Sequence, residues 1–228
     1  MTDKDIVKFI NRINLDQLND TIFCRPISKN VVLAIVWESK PKLSSSSLEH
    51  LSPFTFFFIK NEEGVCVGAV LDMNRDLHWV VLKKYRGQGF LTQSLQKVIL
   101  PYICLKMDRD EQRVTISKNE IGILNYQKSK EVALSVGFRP TDNDEKEFSI
   151  NLLEQNYTPQ LIQEENKKFE LDYLEKLQNK FLFHYKNLEM LSDELEQNFG
   201  DDRMLSVHLK EIRFFKYKIE DIYHLNKE

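Results

Sequence analysis

Residues 80–92 read V-V-L-K-K-Y-R-G-Q-G-F-L-T and combine the end of an apolar strand, a turn with two glycines and the start of an apolar helix. The strand begins near residue 77, and the helical pattern continues to residue 100. Gly87 and Gly89 lie in the turn just before the helix begins, where backbone amides must approach a partner closely. The segment therefore predicts a strand, a glycine turn and a helix in that order.

The flanking segments predict a mixture of strands and helices. Residues 54–59 (F-T-F-F-F-I) and 65–72 (V-C-V-G-A-V-L-D) are typical of a β-hairpin closed by the turn N-E-E-G. Further on we expect two strands, R-V-T-I-S (113–117) and E-F-S-I-N-L (147–152), and between them a helix over 123–136 that Gly137 closes. The apolar run at 30–37 fits either a strand or a buried helix, and the first 50 residues match no other pattern.

A change of composition near residue 155 predicts two domains, residues 1–155 and residues 156–228. After Pro159 the chain contains no proline and one glycine, Gly200, while Leu, Glu, Lys and Phe dominate, as in long helices. The first 153 residues carry 21 basic and 19 acidic side chains, and the remaining residues carry 11 and 16. The second domain is therefore expected to be helical and acidic.

The predicted second domain is an antiparallel helical hairpin or coiled coil. Thr158-Pro159 and Gly200 frame a first helix of about 40 residues, roughly 60 Å long. The 3-4 spacing of apolar residues places its seam at Leu174, Leu177, Phe181, His184, Leu188, Leu191 and Leu195. Asp201 or Asp202 caps a second helix with its seam at Leu205, His208, Ile212, Phe215, Ile219 and Ile222.

These helices are expected to dock on the first domain, to form a homodimer or to bind a partner protein. Phe214, Tyr217 and Tyr223 place apolar side chains on more than one face of the second helix. His184 and His208 both fall on seam positions, which suggests either that they set the register between the two helices or that they bind a metal. No other ligand stands at helical spacing from them, so we interpret them as register residues and predict no metal.

Composition excludes several classes of protein. The net charge is −3 and no long basic run appears, so we expect no nucleic acid as main ligand. The first residues include acidic side chains and lack an uninterrupted apolar run, unlike a secretory signal or a membrane span. Cys24, Cys66 and Cys104 are odd in number and scattered, which argues against disulfides and structural zinc and favours the cytosol. Cys104 reads as a small apolar filler.

The glycine turn has the features of an anion site. The first amides of a helix lack internal partners and carry a partial positive charge, which suits a diphosphate, and Arg86 can add a charged contact. The turn lacks the G-K-[ST] of a Walker loop and the third glycine of a dinucleotide fingerprint.

Together, residues 80–92 and S-K-E-V-A-L-S-V-G-F-R-P (129–140) resemble the GNAT-type N-acetyltransferases, over roughly residues 50–153. The resemblance implies a mixed, mostly antiparallel twisted sheet flanked by helices, with acetyl-CoA or coenzyme A as the cofactor. It implies that Val80, Val81 and Leu82 contact the pantetheine arm. The diphosphate cradle would consist of Arg86, Gly87, Gln88, Gly89, Phe90, Leu91 and Thr92, and Asn125 and Ser129 would face the cofactor.

Three positions depart from the family pattern. Leu91 stands where glycine or alanine is usual. Ala133 stands where a tyrosine often protonates the departing thiolate, and Tyr126 falls where an asparagine is common. Asn125 is interpreted as that asparagine displaced by one position, and the usual general acid is absent.

The predicted reaction is direct attack of an amine on the thioester, which requires a neutral amine and a stabilised oxyanion. Asp76 and His78, on one face of the strand before the turn, are candidate bases, and Tyr126 is a substitute acid. The acceptor stays open among a small polyamine, an amino acid, an antibiotic and a protein terminus. The alternative is a non-catalytic protein that keeps this scaffold and binds a partner through its helices.

Overall fold

The computed structural model describes residues 1–40, 52–141, 146–157, 169–200 and 203–226, with the backbone alone for 203–206. The chain forms two compact units, Met1–Glu165 and Asn166–Glu228. The fold is of the mixed α+β class, with mainly antiparallel sheets in the first unit and helices in the second.

The first unit is built on a five-stranded antiparallel sheet in the order β1-β2-β3-β4-β5. Its strands are Ile22–Ser28 (β1), Val31–Val36 (β2), Phe54–Lys60 (β3), Cys66–Asp72 (β4) and Leu77–Val81 (β5). The predicted hairpin is β3–β4, with Phe57 opposite Val70. The apolar run at 30–37 is a strand, and a helix at the N-terminus, Asp3–Asn14 (α1), precedes the sheet.

The central strands are buried on both faces, which explains why they are continuously apolar instead of alternating. Successive side chains point to opposite faces, so Phe56 and Phe58 pack with Ile6 and Ile10 of α1. On the other face Phe57 joins a second apolar cluster, which the helix after the glycine turn covers.

That helical run extends from residue 90 to residue 107, seven residues beyond its predicted end. It consists of Phe90–Ser94 (α2), a wider π turn at Leu95–Ile99, and Leu100–Met107 (α3). Pro101 lacks the N–H that would donate to the carbonyl four residues earlier, and a widened turn accommodates this loss. The helix thus continues across its proline.

A smaller antiparallel sheet, in the order β6-β8-β7, completes the first unit. Its strands are Glu111–Thr115 (β6), Arg139–Pro140 (β7) and Glu147–Asn151 (β8). Two helices connect β6 to β7, Lys118–Ile121 (α4) and Ile123–Ser135 (α5). The strands and the helix predicted over 113–152 are therefore present, and Gly137 follows the end of α5 as expected.

The second unit contains a shorter first helix than the sequence predicts. Helix α6 spans Leu171–Phe199, 29 residues and about 43 Å, and Glu170 before it has extended backbone angles. The prediction of about 40 residues is wrong, because the helix begins twelve positions after Pro159. Thr158 and Pro159 themselves lie outside the described residues. Gly200 ends the helix as expected.

The rest of the unit is two helices instead of the predicted one, Arg203–Arg213 (α7) and Phe215–Leu225 (α8). Contacts of α8 with the preceding chain fix the pairing direction. Gln178 hydrogen-bonds to Glu220, the rings of Phe181 and Phe215 lie 5.6 Å apart, and Phe169 contacts Tyr223. Helices α6 and α8 are therefore antiparallel, as predicted. Asp201 and Asp202 lie outside the described residues.

The predicted seam is wrong in its second half. On α6 the buried residues are Leu174 and Tyr185, while Leu188, Leu191 and Leu195 are exposed. His184 is exposed because it is one residue, about 100° of helical rotation, away from Tyr185. On α7 Leu209 is buried and His208 is exposed beside Glu211. Neither histidine is a register residue.

The predicted seam of the second helix is also wrong. Ile212, Phe215 and Ile222 are exposed, Ile219 is half-buried and Tyr223 takes the buried position on α8. The side chain of Leu205 lies outside the described residues. Helix α8 begins after a break at Phe214, so a single 3-4 pattern cannot continue from α7 into α8.

None of the helices in the described ranges is long and apolar enough to cross a membrane. Among the same residues, no group of three or more His, Cys, Asp or Glu side chains could hold a metal ion.

Candidate functional site

Strands β5 and β6 meet at one end and separate along the rest of their length. Asp76 and Arg113 form a single parallel bridge, and the Arg113 N–H donates to the Arg75 carbonyl at 3.1 Å. An Asp76 carboxylate oxygen accepts from the Thr115 N–H at 2.9 Å. Beyond this bridge, within the described residues, β5 pairs with β4 alone and β6 with β8. Each strand therefore presents an edge to the space between them.

This space is an open groove of about 740 Å³. Strand β5 lines it on one side and Val114–Ser117 on the other, while α5 and the glycine turn complete its walls. Its volume lies in the range of sites that bind small molecules or cofactors.

The edge of β5 offers backbone groups to the groove. The Leu82 N–H donates to the Val67 carbonyl at 2.9 Å, which fixes the alternation along the β4–β5 pair. The peptide groups of Trp79 and Val81 consequently point away from β4. The Val81 carbonyl accepts from the Arg86 side chain at 2.9 Å, and no described residue accepts from the Trp79 or Val81 N–H. An extended chain of amides can add to this edge.

The glycine turn lies at the end of the groove. Gly87 and Gly89 line it and have φ angles of +75° and +80°, a region that side chains with a Cβ rarely adopt. A Cβ at Gly87 would have no atom within 4 Å, so the turn is open to solvent. Gly89 caps α2, whose first amides lack intrahelical partners. This geometry suits an anion.

Arg86 links the glycine turn to α5. Besides the Val81 carbonyl, its guanidinium donates to the Asn125 side-chain oxygen at 3.2 Å. The Asn125 amide nitrogen in turn donates to the Ile121 carbonyl at 2.9 Å. Arg86 therefore holds two walls of the groove together, and its remaining N–H groups are available to a ligand.

Most of the cofactor residues predicted from the sequence line one groove. Those that do are Val80, Val81, Arg86, Gly87, Gly89, Phe90, Leu91, Thr92, Asn125 and Ser129. Leu82 does not, because its side chain packs in the cluster on the α1 side of the sheet. Gln88 does not either, and its amide donates to the Lys84 carbonyl.

Of the three predicted catalytic residues, the structure brings only His78 to the groove. Asp76 does not line it, and its carboxylate is used in the bridge to β6. Tyr126 is 3% exposed in the apolar core, with the Lys118 ammonium 4.6 Å from the centre of its ring. Ala133 is also fully buried in that core.

Sequence reasoning missed several groups that line the groove. Asp3, from α1, lies 2.7 Å from the His78 imidazole. Trp79 and Tyr85 add aromatic surface, and the walls also carry Glu120, Lys128 and Glu131. Asp3 could not be found from local pattern, because α1 reaches β5 only through tertiary packing. The acidic and basic groups give the groove a mixed charge.

The cysteines lie outside the groove. Burial raises the pKa of the Cys66 thiol from 9.0 to about 12, and burial also raises the pKa of the Cys104 thiol. Cys104 is half-buried and packs against the core, as expected of an apolar filler. Neither thiol has the lowered pKa of a nucleophile.

Comparison of the chain with protein-family models, with curated proteins and with solved structures found no match in any of the three.

Proposed function

We propose that this protein is an N-acyltransferase that moves an acetyl or acyl group from coenzyme A to an amine. The observation that carries the proposal is the groove between two diverging strands that ends at the open glycine turn. We further propose a GNAT-like arrangement for the first unit, in line with the resemblance of residues 80–92 and 129–140 to that family.

The residues present fit coenzyme A at both of its recognisable parts. The outward peptide groups of Trp79 and Val81 can pair with the amides of the pantetheine arm. The amides of the turn around Gly87 and Gly89, with Arg86, can hold the diphosphate. When bound, the thioester supplies an activated acyl group.

Direct transfer makes modest demands on the protein. Holding the amine and the thioester in line accounts for about 7–11 kcal/mol of the barrier, without a covalent intermediate. The expected tyrosine acid is replaced by the buried Ala133, so the thiolate would leave without a dedicated donor there. The acceptor is a small amine or a protein amine.

The same burial of Ala133 and Tyr126 favours one alternative, a non-catalytic scaffold that binds a partner or a second copy through its helices. The second unit exposes large apolar side chains, among them Phe183, Met190 and Phe199 at 65%, 69% and 84%. Such exposure is typical of interaction surfaces. In either role we place the protein in the cytosol, since none of its three cysteines forms a disulfide bond.

Calorimetry with acetyl-CoA tests the proposal through a matched pair of variants on α5. Ser129 lines the groove and Gln127 is exposed outside it. Ser129→Trp fills the groove, so we expect a loss of acetyl-CoA affinity on the order of 100-fold, whereas Gln127→Trp should bind as the wild type does. Substitutions of the glycines are less informative, because their positive φ angles add strain.

Thiol release with a panel of amines then separates the two functions. If the wild type releases thiol and Ser129→Trp does not, the protein is an enzyme. If the wild type binds acetyl-CoA but releases no thiol, the result supports the scaffold. If the folded wild type does not bind acetyl-CoA, the acyltransferase is refuted. A scaffold that keeps coenzyme A as a structural ligand is refuted as well.

A further inference from the structure

His78 and Asp3 form a hydrogen-bonded pair at the groove. The His78 Nε2 atom lies 2.7 Å from an Asp3 carboxylate oxygen, although the residues are 75 positions apart in the sequence. Both line the groove, and their side chains are 34% and 54% exposed. The pair is thus accessible to a ligand in the groove.

Both members are held by regular structure. His78 lies opposite Leu71 in the β4–β5 register. Asp3 occupies the first turn of α1, where Thr2 and Asp5 form a reciprocal capping box. Ile6 and Ile10, fully buried, anchor the helix on the sheet. The Asp3 carboxylate is therefore delivered to His78 by a fixed helix.

The contact determines which imidazole nitrogen is protonated. An ionised carboxylate only accepts hydrogen bonds, so the Nε2 of His78 must donate to Asp3. In the neutral ring the lone pair then lies on Nδ1. No described residue forms a hydrogen bond with that nitrogen.

We propose that His78 is the proton acceptor for the attacking amine, through Nδ1, and that Asp3 is the positioning residue that fixes its tautomer. This inference rests on the proposed acyl transfer. The acceptor nitrogen forms a bond to the thioester carbonyl carbon and the carbon–sulfur bond breaks. The proton from nitrogen passes to His78 and then to the departing thiolate, so the products are an amide and a free thiol.

Other titratable groups share the groove with this pair. They are Tyr85 and Arg86 before α2, Glu120 on α4, and Lys128 and Glu131 on α5. Arg86 is held by the Val81 carbonyl and Asn125. His78 differs from the rest because a carboxylate orients its ring, the arrangement that general bases use.

The first test is the tautomer, measured by ¹⁵N NMR of the imidazole in the full chain. We expect a protonated Nε2 and a bare Nδ1 at pH 8, and a shift of this tautomer balance in Asp3→Asn. Asp16→Asn makes the same chemical change at an exposed position outside the groove and should leave the spectrum unchanged. A wild-type ring protonated on Nδ1 would overturn the proposal.

The second test is thiol release from acetyl-CoA with spermidine, phenethylamine and a lysine peptide as probes. His78→Ala and His78→Gln should each lower the rate at least about 100-fold while acetyl-CoA affinity stays within twofold. Asp3→Asn should lower it less, and the double variant Asp3→Asn, His78→Ala should be no slower than His78→Ala.

The outcomes distinguish this inference from the function on which it rests. Wild-type rates in either folded His78 variant, or losses that simply multiply in the double variant, overturn the role of the pair and leave the acyltransferase intact. A wild type that neither binds acetyl-CoA nor releases thiol with any probe overturns the acyltransferase itself.

Discussion

Replacing Arg109 by methionine is expected to lower the free energy of unfolding of the first unit by about 3–5 kcal/mol. Its guanidinium donates to both carboxylate oxygens of Asp72, at 2.8 and 2.6 Å, and to the Gln112 side chain. The Asp72 side chain is 3% exposed and that of Arg109 is 19% exposed. Without Arg109 the buried carboxylate loses its charged partner, and the Asn74 carbonyl in the turn before β5 loses a hydrogen-bond donor.

Urea unfolding followed by tryptophan fluorescence measures this change in the first unit alone. Both tryptophans, Trp37 and Trp79, lie in that unit. Lys29→Met is the control, because it removes an ion pair with Glu62 whose side chains are 76% and 67% exposed, and solvent screening leaves such pairs with little effect on stability.

The double variant Asp72→Leu, Arg109→Met sharpens the test. Removing both charges leaves no unpaired buried ion, so the double variant should be more stable than Arg109→Met alone. A loss of stability in Arg109→Met no larger than that in the Lys29→Met control would refute the reasoning. So would a double variant that is less stable than the single one.

Three further predictions follow from single contacts. Burial raises the pKa of the Cys66 thiol to about 12, so Cys66 should resist a disulfide reagent at pH 8 until the protein unfolds. The stability that depends on the neutral thiol is complete below pH 9.0 and is lost as the pH rises toward 12. Gly68→Ala should lower the free energy of unfolding in urea by about 1–3 kcal/mol, because its Cβ would lie 2.9 Å from the Val80 carbonyl oxygen. Gly87→Ala meets no neighbouring atom and should lower it by about 1–2 kcal/mol through backbone strain at a positive φ. Thr2→Ala should destabilise α1 by about 1 kcal/mol. NMR titration should then show the pKa of Asp5, held low by hydrogen bonds to Thr2 and Lys8, rising toward its ordinary value. Contrary results would be a reactive Cys66 in the native state, a Gly68→Ala variant as stable as the wild type, or an unchanged Asp5 titration.

Local patterns predicted the elements around the glycine turn correctly. The hairpin β3–β4, strand β5 and the helix from Phe90 depend on short apolar runs separated by turns, which neighbouring residues specify. The helical seam failed beyond Phe181 because a shift of one residue on a helix turns the side chain by about 100°. Such a shift leaves the 3-4 spacing intact, so the sequence pattern could not choose between His184 and Tyr185.

The groove residues divide in the same way. Arg86, Gly87, Gly89 and Thr92 were identifiable because they adjoin one another in the chain. Tyr126 was misassigned because its neighbour Asn125 faces the groove and adjacent residues on a helix face different directions. Asp3 lacked any local signal.

The order of residues along the chain by itself determined the strands and the helix around the glycine turn and which turn needs glycine, because these depend on backbone conformation and on neighbours a few positions away. Only the tertiary structure decided that β5 and β6 separate after the Asp76–Arg113 bridge and that α1 brings Asp3 to His78. Both result from packing between segments distant in the sequence, where burial of the apolar faces fixes the position of each element.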